Sequence, residues 1–226
     1  MFNLHGFMRP RIAGSVVAEL MPRFETESFL HERHHNIWFT QGAGLPADHP
    51  ALQRFRTSNR TLCADQIEGS ALLRLYEWPE FATFLAATMD KPAPHVMQDL
   101  LARVNVMSYS AGQELNWHFD RSEFTTTLLL QAPVRGGEFE YRTGLRGDDD
   151  PNLEGVARLL HGTDPETRIT ELKPGTLNVF QGRNTAHRVT AVSGSRQRVI
   201  AVFSYFDRPG VVFSRSERVG FYGRAQ

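Results

Sequence analysis

His118-Phe119-Asp120 is the first place where this sequence can do chemistry. Successive side chains of a β-strand point to opposite faces, so positions 118 and 120 share one face and Phe119 takes the other. His187 opens a second strand-like segment after the turn Gly182-Arg183-Asn184-Thr185 and can complete a set of two imidazoles and one carboxylate. Such a set fills three octahedral positions, leaves three open, and favours non-haem Fe(II). Arg198 follows one hairpin turn later, beyond Ser193-Gly194-Ser195, where a guanidinium can fork onto a carboxylate inside a barrel. The dyad alone carries little weight, because nine histidines and 25 acidic residues in 226 positions give about one His-x-Asp/Glu by chance. Its weight comes from the joint order: dyad at the end of a strand, Gly136-Gly137 before another, His187 opening a third, and Arg198 a hairpin later.

These residues need strands to hold them. From Leu101 onward, eight short strand-like segments are expected: 104–109, 115–120, 125–131, 138–142, 168–170, 176–180, 187–190 and 198–206. Turn residues separate them, which predicts an antiparallel double-stranded β-helix, a jelly roll of the cupin kind. Asp148-Asp149-Asp150-Pro151 reads as a helix start, with Val156, Leu159 and Leu160 as its apolar face. The insert 143–166 is therefore expected to be helical, either as a lid or as an ordinary capped surface helix. The first hundred residues read as helical support: one helix over Arg11–Leu20 stopped by Pro22, a short strand Ile37–Thr40, a Gly/Pro loop over 41–50, and two helices or one kinked at Trp78-Pro79. The fold class is mainly β with flanking helices (α+β), as one domain over 1–226: support 1–100, jelly-roll core 101–206, tail 207–226.

Composition narrows the chemistry further. With 25 basic and 25 acidic residues, nothing provides the single-sign field that steers a protein to nucleic acid or anionic lipid. Cys63 is the lone cysteine, so thiolate zinc sites and disulfide frameworks are excluded. No apolar run approaches the ~18 residues of a membrane span. A cytoplasmic protein without membrane or nucleic-acid partners is expected, its oligomeric state left open with a homodimer among the options. Of the other histidines, His34-His35 reads as a loop pair, and His5, His31, His49, His95 and His161 lack a strand-based partner.

His118-Phe119-Asp120, Gly136-Gly137-Glu138, Pro174-Gly175-Thr176, His187-Arg188-Val189-Thr190 and Arg198 resemble the Fe(II)/2-oxoglutarate-dependent oxygenases of the prolyl-hydroxylase-like group over about residues 101–206. More narrowly, Trp117 to Ser122, Gly136 to Tyr141, Asp148 to Asp150 and the tail Gly220-Phe221-Tyr222-Gly223 are similar to the bacterial family of radical amino-acid halogenases and their hydroxylase relatives. In the halogenases a small residue replaces the carboxylate ligand. Here that position holds Asp120, so the resemblance to the hydroxylating members is the one to follow.

The resemblance implies Fe(II) on His118, Asp120 and His187, with 2-oxoglutarate as cosubstrate, O2 as oxidant, and Arg198 on the distal carboxylate. Arg196 is the rival for that role, and Thr127, Gln131 and Ser204 are further candidates near 2-oxoglutarate. An amino-acid substrate needs a cation for its carboxylate, for which Arg60 and Arg74 are candidates, and an anion for its ammonium, for which Glu114 or Asp148 to Asp150 are candidates. Trp117, Phe221 and Tyr222 are candidates for a pocket wall. Three activities stay open: a small-molecule hydroxylase, a protein or peptide hydroxylase, and a metal-binding sensor without turnover.

Overall fold

A computed structural model describes residues 1–39, 45–92, 94–122, 124–147 and 149–226. The elements in chain order are β1 (Phe2–Leu4), α1 (Pro10–Thr26), β2 (Phe29–His35), β3 (Phe55–Leu62), α2 (Ala71–Glu77), α3 (Pro79–Met89), β4 (His95–Val96), β5 (Val104–Tyr109), β6 (Leu115–His118), β7 (Thr125–Gln131), β8 (Phe139–Arg142), α4 (Leu153–Leu160), β9 (Arg168–Thr170), β10 (Leu177–Phe180), β11 (Ala186–Val189), β12 (Arg198–Phe203), β13 (Tyr205–Phe206) and α5 (Arg215–Tyr222). They form a seven-stranded sheet in the order β1-β10-β7-β12-β5-β3-β2 and a four-stranded sheet in the order β6-β11-β8-β9, while β13 pairs with β4. Every pairing is antiparallel. The strands expected after residue 101 are present, except that the segment expected at 115–120 ends at His118 and the last segment is split into β12 and β13.

Alternation along each strand sorts the side chains into separate layers. Val104 and Val106 of β5, Leu128 and Leu130 of β7, and Val199 and Ala201 of β12 face outward and bury Leu20 and Phe24 of α1, Leu72 and Tyr76 of α2, and Phe81 and Leu85 of α3. The opposite parity, Tyr109, Leu129, Phe180 and Ile200, meets Phe139 and Val189 of the small sheet in a second core between the sheets. The metal-type residues belong to this second layer. No helix among the described residues is long and apolar enough to cross a membrane.

Three expectations about the N-terminal part need correction. First, α1 runs through Pro22 to Thr26. A proline inside a helix costs about 3 kcal/mol, but Leu20 and Phe24 on either side of it are almost fully buried, and each contributes roughly 2 to 3 kcal/mol.

Second, the first hundred residues supply strands as well as helices: β1, β2 and β3 extend the large sheet, and β4 pairs with β13. The reason they escape a hydrophobic pattern is their polarity: on β2 the buried positions are His31 and His35, while Leu30 is exposed. His34-His35 therefore ends a strand, with His35 turned inward. Third, β2 closes at His35 and residues 37–39 form a turn, so the short strand expected at Ile37–Thr40 is absent from its described part; Thr40 and positions 41–44 of the loop lie outside the described residues.

The insert forms a helix, α4, but not a lid. Its N-cap is Asn152, whose side chain accepts from Gly155 N–H at 3.0 Å, and Asp148 lies outside the described residues. Val156 and Leu159 pack on Ile37, Trp117 and Phe119, so the apolar face docks α4 on the outer side of the small sheet, away from the layer that holds His187. Of the two arrangements expected at Trp78-Pro79, the structure has two helices, with Pro79 in the first turn of α3, where its missing N–H costs nothing.

Candidate metal centre

β6 and β11 lie side by side in the small sheet, and their register sets His118 directly opposite His187. The two rings are 4.1 Å apart between centroids. Asp120 reaches both: its Oδ1 is 3.5 Å from His118 Nε2 and its Oδ2 3.5 Å from His187 Nε2. One ligand-capable atom from each of the three lies within 4.8 Å of the others, close enough for a single cation to touch all three.

The ring orientations are fixed from behind. His118 Nδ1 lies 2.8 Å from the carbonyl of Asn116, and His187 Nδ1 lies 3.0 Å from that of Thr185. A carbonyl can only accept, so each Nδ1 carries the proton and each Nε2 presents its lone pair to the shared centre. Thr125 donates its hydroxyl to Asp120 Oδ2, while Asp120 N–H donates to the Gly182 carbonyl at 3.0 Å. Such outer partners orient metal ligands and tune their basicity.

Charge states agree with that geometry. Burial, reinforced by His118, pushes His187 down to about 4. Burial opposes ionisation of Asp120, but His187, His118 and the Thr125 hydroxyl outweigh it and hold the carboxyl well below the usual range. A neutral imidazole and an ionised carboxylate are the forms a divalent cation binds, so binding near neutral pH displaces no proton from either.

Arg198 is among the largest fully buried side chains, at 2% exposure. Its Nε donates to the Gly137 carbonyl at 3.1 Å, its guanidinium carbon is 5.7 Å from the Tyr109 ring centroid, and its Nη1 is buried with no partner. Burial lowers its pKa, partly offset by Tyr109. Gly137 has φ of +69°, and a β-carbon there would press on the Arg198 Cδ at 3.0 Å. Its neighbour Gly136, at the same φ, would drive a β-carbon into the Ala191 carbonyl. The Gly-Gly pair is thus required by left-handed backbone and by close passage of the Arg198 stem.

The other expected site residues divide. Thr127 faces the inter-sheet layer opposite Asn178 and Val202, and both amide atoms of Asn178 are buried without partners. Gln131 pairs in register with Val199 and spends its amide on the Gln197 carbonyl. Ser204 lies beyond the far end of β12, its N–H on Arg103 and its carbonyl on the Tyr76 hydroxyl. Six residues of strand span about 20 Å, so it does not share the surroundings of Arg198. Arg196 is exposed and bonded to the carbonyls of Ala132 and Pro133, which removes it as a rival.

The four expected substrate residues each have other contacts. Arg60 shares the outward parity of Leu62 and donates to Ser28. Arg74 is exposed on α2 and bonded to the Gly69 carbonyl. Trp117 is buried under α4 with Phe119, and the Tyr222 hydroxyl is taken by Asn105 at 2.9 Å. Asp149 and Asp150 are exposed, and Glu114 bridges to Ser58. Sequence reasoning missed Arg33, His35 and Phe39, which lie beside His118: Phe39 is edge-on to His118 at 5.6 Å, stacked on His35 at 4.3 Å, and under the guanidinium of Arg33 at 4.3 Å. Phe221, in contrast to Tyr222, does approach this region, 4.9 Å from Arg33.

The sequence matches the model of one family, Halogenase D, over residues 53–211, more than half of the chain. The chain belongs to the Halogenase D family. No protein of curated function matches it. Among solved structures, a prolyl-4-hydroxylase from Pseudomonas putida superposes with a TM-score of 0.54 at 14% identity, covering 92% of each chain. AviO1 from Streptomyces viridochromogenes gives 0.56 at 15% identity over 90% of this chain and 86% of its own. The non-haem α-ketoglutarate-dependent epimerase SnoN of nogalamycin biosynthesis gives 0.58 at 15% identity over 91% and 77%. At such identities the likeness is one of fold: this Halogenase D chain has the double-stranded β-helix of those proteins, with the His118, Asp120 and His187 cluster between its two sheets.

Proposed function

We propose that this Halogenase D family member is an Fe(II)- and 2-oxoglutarate-dependent oxygenase that hydroxylates an unactivated C–H bond of a small molecule, an amino acid or a derivative of one. The observation that carries the reading is the pairing of a complete His118, Asp120 and His187 face with a buried, partly unpartnered Arg198 guanidinium in the same layer. A metal alone accounts for the first but not the second. A buried cationic donor left without a partner is costly, and a dicarboxylate such as 2-oxoglutarate relieves it.

His118 Nε2, His187 Nε2 and Asp120 would hold the iron, and Arg198 would take the distal carboxylate of 2-oxoglutarate, with Thr127 and Asn178 as polar lining. With both groups bound, the site supplies insertion of one oxygen atom of O2 into a substrate C–H bond, the other going to succinate as CO2 is released. The chain's own contribution is position and exclusion of water. Phe139 and Phe180 flank His187 at 5.6 and 4.8 Å, Phe39 covers an edge of His118, and Thr125 with Gly182 steadies Asp120. Asp120 occupies the third ligand position, which favours hydroxylation over halide transfer.

A peptide substrate is the second reading, favoured by the docking of α4 on the outer face of the small sheet, where it does not cover the metal side. The experiment incubates iron-loaded protein with 2-oxoglutarate and a panel of amino acids and short peptides, then weighs the products. A product one oxygen atom heavier, with succinate above the uncoupled background, supports the proposal and tells the two substrates apart. Absence of 2-oxoglutarate binding would overturn it in favour of a metal-binding sensor.

A further inference from the structure

β2 carries a cation that the oxygenase reading leaves unused. His31, Arg33 and His35 alternate onto the inner face of the strand, opposite Asn59 and Thr57 of β3. Both histidines are held neutral near pH 7: burial and Arg33 lower His31 to about 4, and burial lowers His35 to the same range. Arg33 is half-buried, its Nε is buried without a partner, and no carboxylate forms an ion pair with it among the described residues. The nearby charge that acts on it is another cation, Arg121, which follows the carboxylate Asp120.

The guanidinium is nevertheless held in place. The Phe39 and Phe221 rings flank it at 4.3 and 4.9 Å. Aromatic faces attract a cation without consuming its N–H donors, so the fork remains available to a ligand. Phe39 sits at φ of +57°, a left-handed conformation that a bulky residue rarely adopts. Strain of this kind collects at sites that must hold a side chain in one place. The same Phe39 ring touches His118, so one aromatic ring separates the Arg33 fork from a metal ligand.

We propose that Arg33 anchors a carboxylate of the substrate beside the metal centre. The proposal rests on the oxygenase reading and names its substrate class: a small organic acid, with the reacting carbon a short distance from the acid group. Charge balance favours a monoanion over a phosphate. Arg121 is already paired with Glu217 of α5, whereas Arg33 has no carboxylate partner among the described residues, and the planar fork of arginine matches a carboxylate bidentately.

The test titrates protein loaded with Fe(II) and 2-oxoglutarate under anaerobic conditions with free amino acids and, in parallel, with their C-terminal amides, followed by calorimetry and thermal shift. At least one acid should bind wild type roughly 10- to 100-fold more tightly than its amide. Arg33→Gln should erase that ratio, and Arg33→Lys should retain part of it. An acid preference that survives Arg33→Gln overturns the proposal, as does a wild type for which no acid outbinds its amide. If Arg33→Gln fails to fold by circular dichroism, the wild-type ratio and the Arg33→Lys variant decide. Binding of 2-oxoglutarate by the wild type, measured first, reports separately on the oxygenase reading.

Discussion

The α-carbon of Gly182 packs against the carboxylate of Asp120, and the Gly182 carbonyl accepts the Asp120 N–H at 3.0 Å. A β-carbon at position 182 would collide with both the Asp120 carboxylate and the Thr125 hydroxyl that supports it. The backbone at Gly182 is not left-handed, so the requirement is space alone. Gly182→Ala should therefore leave the fold intact and turn Asp120 out of line with His118 and His187. Metal affinity, measured by titration with Mn(II) or Co(II), should fall by roughly 10- to 100-fold, the range seen when support of a metal ligand is removed. Thr125→Val, which removes the hydroxyl without crowding, should show the smaller loss of the two. Unchanged affinity in Gly182→Ala would mean that Asp120 is not a ligand.

Replacing Asp120 itself separates its two duties. Asp120→Gly removes the carboxylate that touches both imidazoles and leaves His118 and His187 still oriented by Asn116 and Thr185. The expected result is a protein that binds metal weakly through two imidazoles and forms no hydroxylated product. Product mass with excess Fe(II) is the measurement, repeated with and without chloride. Full hydroxylation by the variant would contradict the ligand assignment.

His118 and His187 were legible from their places on strands of the small sheet; Asp120 lies just past the end of β6, where its N–H bonds to the Gly182 carbonyl and its carboxylate reaches both imidazoles. The strands beyond residue 101 were legible because their outward faces are apolar and their turns carry Gly and Pro. β2 and β3 were not, because the inner face they present is His31, Arg33, His35, Thr57 and Asn59, the reverse of a hydrophobic-in pattern. A strand whose inward face is polar erases the signal by which strands are found. The same inversion hid Arg33, whereas Arg60 and Arg74 looked suitable by charge alone; parity sends Arg60 to the helical side, and Arg74 rides on an exposed face of α2. Trp117 failed by one residue of register, since the neighbour of an inward ligand must point outward.

Arg198 offers a test in which stability and binding move apart. Its buried guanidinium has an unpartnered Nη1 in the absence of a bound acid, and apolar replacement of a poorly compensated buried charge is often neutral or stabilising. Arg198→Met should thus unfold at a temperature no lower than wild type when neither protein holds 2-oxoglutarate. The rise in Tm that 2-oxoglutarate produces in wild type should disappear, with the affinity down by roughly 30-fold or more, as expected when one partner of a buried charge pair is lost. A variant that keeps 2-oxoglutarate affinity would remove Arg198 from the site.

The buried histidines give the protein a defined response to acid. His31, His35 and His187 are each lowered to about 4 in the folded chain, chiefly by burial, against an ordinary value near 6.5. As pH falls through 6.5 the unfolded chain takes up protons that the folded chain refuses until about pH 4. Stability contributed by these groups is therefore complete above about pH 7, declines between 6.5 and 4, and is lost no further below that. Asp120 acts in the same sense at lower pH: its depressed pKa stabilises the fold above the ordinary carboxylate range, and that contribution is lost as pH falls through that range. The chelator-treated protein should lose on the order of a few kcal/mol between pH 7 and 5, a fall in Tm of roughly 5 to 10 °C for a chain of this size. His35→Gln should flatten that slope, because the substituted group no longer titrates. A Tm independent of pH across this window would show that these imidazoles are not held neutral by burial.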